Sequence, residues 1–369
     1  MKNTNPISRR KFLELSALSL GGLALSPWMS RQKALPEFPD SPKIGRVCAG
    51  NQGAHFDLRK YPYSDSETTD TVFRDDVIPW LREVVTTEVN RNVINQRWVE
   101  TNGGYIYADN IQPVKNEPNK PVDSFPVYED GSTGAWVEVT VPYIDFTVQD
   151  QPPKSPWLSA ALRPRLYYSQ IMWADQIKKG SDGKILYRIT EKYGSYGDVF
   201  WAAGEAFRLL TDDDLQPIHP DVENKVVVVD LTYQTLSCME GNDEVYFCRV
   251  STGGLYDASG NPTDQWATDL GSHPISRKMV STHMSAGTME TGYDTPGIGW
   301  DCLFSNGQAI HSTFWHNGFG VPRSHGCVNV LPEDAKWIFR WTTPDVSYEA
   351  GDITISGMNS STRVNVING

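Results

Sequence analysis

The most informative part of the chain is the stretch Ala309-Ile310-His311-Ser312-Thr313-Phe314-Trp315-His316, followed after a Gly-containing link by Arg323-Ser324-His325-Gly326-Cys327-Val328-Asn329. It places one cysteine two residues after a histidine and within 16 residues of two more. A nucleophilic thiol needs a base that takes its proton, and backbone N–H groups that face the charge formed on attack. Here Cys327 is the thiol, His311 supplies a base from a neighbouring segment, and the bend at Gly326 exposes amides. The stretch predicts a nucleophilic cysteine site.

Two other interpretations of these residues stay open. Three histidines and a cysteine could bind zinc, although His311 and His316 are five residues apart rather than four and no second cysteine lies nearby. A lone cysteine is more often an inert, buried small hydrophobe than a reactive group. His316 itself is interpreted as a surface or packing histidine.

The segments Ile310-His311-Ser312 and Ser324-His325-Gly326-Cys327-Val328-Asn329 resemble the signature of the L,D-transpeptidase family, the YkuD-type catalytic domain. Ser251-Thr252-Gly253 matches a turn of the same family, and the resemblance covers residues 225–357. Members often carry Arg where Asn329 stands, and the Asn form is a known variant. The resemblance implies a β-sandwich domain that joins or trims bacterial peptidoglycan stem peptides through a cysteine acyl-enzyme.

The resemblance also implies a role for each matched residue. Cys327 would attack the carbonyl between the third and fourth stem residues, and a thiolate beside an imidazolium would have a lowered pKa. His311 would donate and accept the proton, with Ser312 orienting it. The amides of His325, Gly326 and Cys327 would form an oxyanion hole. Ser324 and Asn329 would brace the loop. Residues 281–300, which contain Tyr293 and Trp300, would form a flap over the substrate groove. No metal and no cofactor are implied.

Length and charge bound the broad class. A chain of 369 residues is long enough for two or three domains. The formal net charge is −12, and residues 1–35 carry six Lys or Arg and one Glu, so the rest of the chain carries −17. Because such an acidic body repels nucleic acid, we expect no nucleic-acid partner.

Residues 1–35 are predicted to be a twin-arginine signal region. Ser8-Arg9-Arg10-Lys11-Phe12-Leu13 precedes a short, weakly apolar run that ends near Leu25. This run is too short for a comfortable transmembrane helix, although an uncleaved signal would leave an N-terminal membrane anchor. The sequence therefore predicts export by the twin-arginine route to the periplasm or the cell wall.

The predicted fold class is mainly β: one or two small SH3-like barrels followed by an L,D-transpeptidase-type β-sandwich. Short apolar runs and a hairpin signal from Trp98 to Tyr105 predict an SH3-like domain at 45–115, called here the first module. Similar runs predict a second, divergent SH3-like or β module at 135–218, the second module. Residues 225–357 are the predicted C-terminal domain. Within it, Cys238 and Cys248 flank a turn signal and could be either a disulfide or buried thiols.

Three functions follow from these features. The first is an L,D-transpeptidase that forms cross-links between peptidoglycan stem peptides through a Cys327 thioester. The second is an L,D-carboxypeptidase that uses water as the acceptor. The third is a non-catalytic wall-binding protein, against which the intact set of His311 and Ser324-His325-Gly326-Cys327 argues.

Overall fold

The computed structural model describes residues 35–50, 53–86, 88–89, 95–148, 152–160, 164–192, 196–256, 261–286, 293–355 and 361–369. Residues 35–369 form one compact unit. It is built mainly of β-strands, which confirms the predicted fold class. Within the described residues, no helix has the length and apolar character needed to cross a membrane. The predicted signal region lies outside these residues, Leu35 excepted, and stays a prediction.

The first module contains two sheets around one small core. Its strands are β1 (Ile44–Val47), β2 (His55–Arg59), β3 (Thr68–Phe73), β4 (Val77–Pro79), β5 (Arg82–Val85), β6 (Arg97–Thr101), β7 (Gly104–Tyr107) and β8 (Ile111–Val114), with a 3-10 turn at Ala108–Asn110. They form the sheets β4-β1-β8 and β3-β2-β7-β6-β5. The predicted hairpin is confirmed as β6–β7, in which Trp98 faces Tyr107. The SH3-like assignment stays a prediction.

The second module is built on a six-stranded antiparallel sheet. Its strands are β9 (Ala135–Val139), β10 (Tyr143–Asp145), β11 (Thr147–Val148), β12 (Arg165–Tyr167), β13 (Ile171–Lys179), β14 (Ile185–Thr190), β15 (Phe200–Ala203) and β16 (Phe207–Leu209); α1 is Pro156–Ala160, α2 is Asp212–Leu215, and a 3-10 turn spans Gly204–Ala206. The sheet order is β11-β15-β14-β13-β9-β16, and β10 pairs with β12. Trp136, Ile171 and Trp173 pack into the core of the C-terminal domain, so the two units share apolar contacts.

The C-terminal domain consists of two five-stranded sheets and one helix. Its elements are β17 (Lys225–Asp230), β18 (Thr235–Glu240), β19 (Asp243–Arg249), β20 (Gly271–Pro274), β21 (Arg277–Ala286), β22 (Tyr293–Ser305), β23 (Gln308–Ser312), β24 (Val328–Val330), α3 (Pro332–Trp341), β25 (Asp352–Thr354) and β26 (Arg363–Ile367). The sheets run β19-β18-β17-β26-β20 and β24-β23-β22-β21-β25. Buried side chains from both sheets and from α3 form one hydrophobic core.

Near the end of this domain the structure agrees with the predicted helix but not with the predicted closing strand. Pro332 followed by Glu333 and Asp334 predicts the start of a helix that ends at Trp341, and this helix is confirmed as α3, with Pro332 in its first turn, where a missing N–H costs nothing. The run Ile353-Thr354-Ile355, which predicts the strand that closes the domain, instead contributes to the edge strand β25. The closing strand is β26, which pairs in parallel with β17 and which the sequence analysis missed. Cys238 and Cys248 are free, buried thiols rather than a disulfide.

Candidate active site

The site lies where two neighbouring parallel strands meet. β23 and β24 pair with Ile310 opposite Val328 and His311 opposite Asn329. Because side chains alternate along a strand, Ile310 and Val328 enter the core while His311 and Asn329 share the opposite face, with Cys327 immediately before β24. Two residues that are far apart in sequence are therefore held at adjacent positions by sheet register.

These side chains line a cavity of about 480 Å³. Of the predicted site residues, those on its wall are Tyr293, His311, Ser324, His325, Cys327 and Asn329. Ser312 and Gly326 lie behind the wall. The cavity is large enough to hold an extended peptide segment of a few residues.

His311 is a neutral, oriented imidazole. Its Nδ1 lies 2.9 Å from the carbonyl oxygen of Ser312. A carbonyl oxygen can only accept, so Nδ1 carries the proton and Nε2 keeps the basic lone pair. Burial lowers the pKa of His311 to about 4. Ser312 thus fixes His311 through its carbonyl oxygen, while its Oγ accepts a hydrogen bond from the amide of Gly299 at 3.0 Å.

Cys327 is an un-ionised thiol at neutral pH. Burial raises the pKa of Cys327 to about 11, against a smaller lowering by a hydrogen bond from the backbone of Ala309. This corrects the expectation of a lowered thiolate pKa beside an imidazolium. His311 is buried and Cys327 is half-buried, and the loss of contact with solvent disfavours the charged form of each.

Ser324 ties the loop before Cys327 into a fixed bend. Its Oγ donates to the carbonyl oxygen of Cys327 at 2.5 Å and accepts from the amide of Gly326 at 3.1 Å. The amide of Gly326 is therefore engaged within the loop, which corrects its predicted place in an oxyanion hole. Gly326 has a φ of 113°, a conformation that L side chains rarely adopt, and a Cβ there would meet the side chain of Gln308 at 2.8 Å.

The Ser251-Thr252-Gly253 turn supports the same loop from behind. Thr252 accepts hydrogen bonds at its carbonyl oxygen from the amides of Arg323 and Ser324, at 2.8 and 2.9 Å. Ser251 and Asn329 exchange two backbone hydrogen bonds of 2.9 Å. A Cβ on Gly253 would meet the carbonyl oxygen of Trp266 at 1.9 Å, so only glycine fits. These contacts explain why the turn occurs together with the cysteine loop.

His316 is a site residue that the sequence analysis missed. It lines the cavity and is 3 % exposed, and burial lowers its pKa. Its Nδ1 accepts from the amide of Gly318 at 3.2 Å, so the neutral ring carries its proton on Nε2, which lies 2.9 Å from the side-chain amide of Asn329. The nitrogen of the Asn329 side-chain amide faces Nε2; exchanging the oxygen and nitrogen of that amide would let its oxygen accept from Nε2–H. The only sequence signal was its position five residues after His311.

The two aromatic residues assigned to the groove have different places. Tyr293 is on the cavity wall, with its ring 5.2 Å from that of His325. Trp300 is 1 % exposed and lies in the core against Phe339, which corrects its prediction as a groove residue. Trp300 has a φ of 63° within β22, so side-chain alternation does not continue through it. The predicted flap corresponds to the β21–β22 hairpin, whose tip at 287–292 lies outside the described residues.

A buried histidine joins this hairpin to the second module. His283 Nδ1 lies 2.6 Å from Glu191, and its Nε2 lies 2.5 Å from Asp294. Asp294 also accepts from the amide of Trp157 at 2.7 Å and follows Tyr293 directly in the chain. Burial lowers the pKa of His283, but the hydrogen bonds and charges of the two carboxylates outweigh it and raise that pKa above its ordinary value. Protonated His283 can donate to both carboxylates at once.

We expect replacement of His283 by Gln to destabilise the protein more at low pH than at high pH. Because the pKa is raised in the folded state, the stabilisation is fully present below the unfolded value of about 6.5 and is lost as pH rises through the folded value. The low-pH loss should be roughly 1–3 kcal/mol. Urea unfolding from pH 5.5 to 9 measures it, with His219→Gln, an exposed His–Glu pair, as the control. A pH-independent loss would contradict the assignment.

The first module forms one wall of the cavity. Ala49, Gly50 and Arg74 belong to it and line the same space as Cys327. No part in the site is predicted for this module from the sequence. No local motif marks these three residues, because their role depends on a contact between two units that are far apart in sequence.

The first module also holds the segment between His311 and Cys327. The buried guanidinium of Arg46 donates to the carbonyl oxygen of Phe314. Asn317 donates through Nδ2 to the carbonyl oxygen of Ala108 at 3.2 Å, and Arg323 lies 3.6 Å from Asp109. The base and the nucleophile are therefore linked by a segment that a separate module keeps in place.

Within the described part of the chain, no group of three or more His, Cys, Asp or Glu side chains is arranged to hold a metal ion. His311 and His316 each have a ring nitrogen committed to backbone, at Ser312 and Gly318. The arrangement supports acid–base and nucleophilic chemistry by the chain's own side chains.

A family model for the YkuD L,D-transpeptidase catalytic domain matches residues 224–366. No curated protein matches the sequence. Similar solved structures include L,D-transpeptidases from Stackebrandtia nassauensis (24 % identity, 43 % of this chain and 61 % of that one, TM-score 0.27), Xylanimonas cellulosilytica (23 %, 41 % and 64 %, 0.27) and Mycobacterium smegmatis (13 %, 61 % and 99 %, 0.30).

The chain thus spans 61 % and 64 % of the first two structures. Their TM-scores are too low to argue for a shared overall arrangement, so the assignment depends on the family model and the cysteine loop. That model includes β17 at one end and nearly all of β26 at the other, the two strands that pair in parallel at the centre of one sheet. Residues 224–366 are an L,D-transpeptidase catalytic domain of the YkuD type.

Proposed function

We propose that this protein is an L,D-transpeptidase that cross-links peptidoglycan stem peptides through a thioester on Cys327. The observation that carries the proposal is that Cys327 and an imidazole with a fixed basic nitrogen, His311, line one cavity. A nucleophile, its base and a peptide-sized space are the requirements of acyl transfer.

The reaction proceeds in two steps. Cys327 Sγ attacks the carbonyl between the third and fourth stem residues while His311 Nε2 takes the thiol proton. The S–C bond forms, the C–N bond breaks, and His311 returns the proton to the departing amine of the D-amino acid. An amine of a second stem then attacks the thioester, its proton passes through His311 to sulfur, and a new C–N bond replaces the S–C bond.

The substrate cavity favours an anionic peptide. Its described lining contains two arginines and no Asp or Glu, whereas the whole chain carries −12. Stem peptides carry free carboxylates, so the charge of the cavity is complementary to them.

Mass spectrometry of muropeptides tests the proposal. Purified protein incubated with tetrapeptide-stem peptidoglycan should release the terminal D-amino acid and yield dimers linked between third-position residues. Cys327→Ala should yield neither. Release of the terminal D-amino acid with only tripeptide monomers would establish the L,D-carboxypeptidase instead. No change in any muropeptide would refute both activities and favour the non-catalytic wall-binding protein.

We further propose export by the twin-arginine route to the periplasm or cell wall, supported by Arg9-Arg10 before the short apolar run. An uncleaved signal would serve as a membrane anchor. Fractionation of a variant with both arginines changed to lysine should find the protein in the cytoplasm. Normal delivery of that variant would refute the route.

A further inference from the structure

Arg74 is a cation that the first module places in the cavity of Cys327. It occupies the turn between β3 and β4, where its amide donates to the carbonyl oxygen of Ala54 at 2.8 Å and the amide of Asp75 donates to that of Val47 at 2.8 Å. The side chain is 19 % exposed, and its Nη1 donates to the carbonyl oxygen of Gly50. The turn and this contact fix the direction of the guanidinium before any ligand binds.

The charge of Arg74 is poorly neutralised by the protein. Its nearest carboxylate is Asp75, 3.9 Å from Nε, but Asp75 lies closer to Arg46, at 3.1 Å, and to Arg165, at 2.9 Å. Three arginines thus share one aspartate, with Asp145 assisting Arg165. Arg74 Nε is buried and has no hydrogen-bond partner among the described residues. An incompletely neutralised guanidinium on the wall of the cavity favours an anionic ligand.

The second arginine of the cavity, Arg323, has its charge more fully neutralised than Arg74. Arg323 is 35 % exposed and lies 3.6 Å from its own carboxylate, Asp109. Solvent and Asp109 both reduce its charge as felt inside the cavity. Arg74 is therefore the stronger candidate for binding an anion beside Cys327.

We propose that Arg74 binds a carboxylate of the peptide substrate in the cavity of Cys327, so that the first module takes part in substrate selection. The assignment rests on the proposed function, which supplies the peptide. Two carboxylates have the required chemistry: that of the departing D-amino acid and that on the side chain of the third stem residue.

The test is single-turnover acylation of Cys327, followed by intact mass over a range of concentrations of a synthetic tetrapeptide stem. Arg74→Gln keeps a polar side chain and removes the charge. The concentration that gives half the maximal acylation rate should rise about 10- to 100-fold, the range for a charge-assisted hydrogen bond. Arg74→Lys should recover part of the loss. Arg82→Gln, on the same module and with its side chain 66 % exposed, should match the wild type.

Amidated peptides separate recognition from a structural effect and distinguish the two carboxylates. One peptide carries an amide at its terminal carboxylate and another at the third-residue side chain. For the wild type, amidation of the recognised carboxylate should cost as much as Arg74→Gln does, and the two changes together should cost no more than either alone. Wild-type data on the amidated peptides and Arg74→Lys decide the matter if Arg74→Gln does not fold.

Two outcomes overturn the proposal. If Arg74→Gln weakens all three peptides by the same factor, or none of them, Arg74 binds no substrate carboxylate while the proposed function stands. If the wild-type protein forms no thioester with any peptide, the proposed function fails and the assignment fails with it.

Discussion

Replacement of His311 by alanine should slow thioester formation at Cys327 by about 10²–10⁴-fold, the range for loss of a general base. The effect should be large because burial raises the pKa of Cys327 to about 11, so few molecules hold a ready-made thiolate at neutral pH. The His311 imidazole, whose pKa burial lowers to about 4, is neutral over the whole working range and available to take the proton.

Single-turnover acylation measured by intact mass, together with a melting curve, tests this expectation. His325→Ala is the matched control, because His325 lines the same cavity and its ring packs against Trp266 and Tyr293. The control should lose less activity. Wild-type acylation by a folded His311→Ala protein would mean that another group takes the thiol proton.

Replacement of Arg46 by methionine should lower the free energy of unfolding by about 3–5 kcal/mol, the range for removal of one partner from a buried ion pair. Arg46 is fully buried and bonds Asp75 at 3.1 Å, Gln112 at 3.0 Å and the carbonyl oxygen of Phe314. Its guanidinium also lies 4.2 Å from the ring centre of Tyr167. Methionine fills much of the volume but leaves these polar groups without their donor.

Urea unfolding provides the measurement, and Arg82→Met provides the control. Arg82 is in the same module and pairs with Glu100, but its side chain is 66 % exposed, so its removal should cost no more than about 1 kcal/mol. Arg46→Met should also slow acylation, because Phe314 and the cavity residue Trp315 are adjacent. Equal stability losses in the two variants would show that the buried network contributes nothing specific.

Features that depend on residues close together in the chain could be predicted from the sequence alone. The cysteine loop, the base on the preceding segment and the helix that starts at Pro332 are each recognisable from spacing and residue type. Trp300 was misplaced because both faces of β22 are covered and its positive φ interrupts alternation. The engaged amide of Gly326 depends on the rotamer of Ser324, which no sequence pattern reveals.

Contacts between distant segments explain the remaining omissions. β26 lies between β20 and β17, and β17 is more than 130 residues earlier in the chain. Arg74 reaches the cavity of Cys327 through the docking of the first module, and the pKa values of Cys327 and His311 follow from desolvation in the folded chain. Such effects arise from tertiary structure, which periodicity and propensity do not encode.

The contacts between the first module and residues 313–323 determine which fragments of this enzyme keep the active site intact. A fragment cut at the boundary of the family match would contain every residue of the signature, yet it would lack Arg46, Arg74 and the carbonyl oxygen of Ala108. The carbonyl oxygen of Phe314 would lose its buried donor, and one side of the cleft would open to water. The smallest fragment that retains the whole active site therefore begins before Ile44. Kinetic constants measured on the excised domain would describe a site that lacks one wall and is more accessible to water.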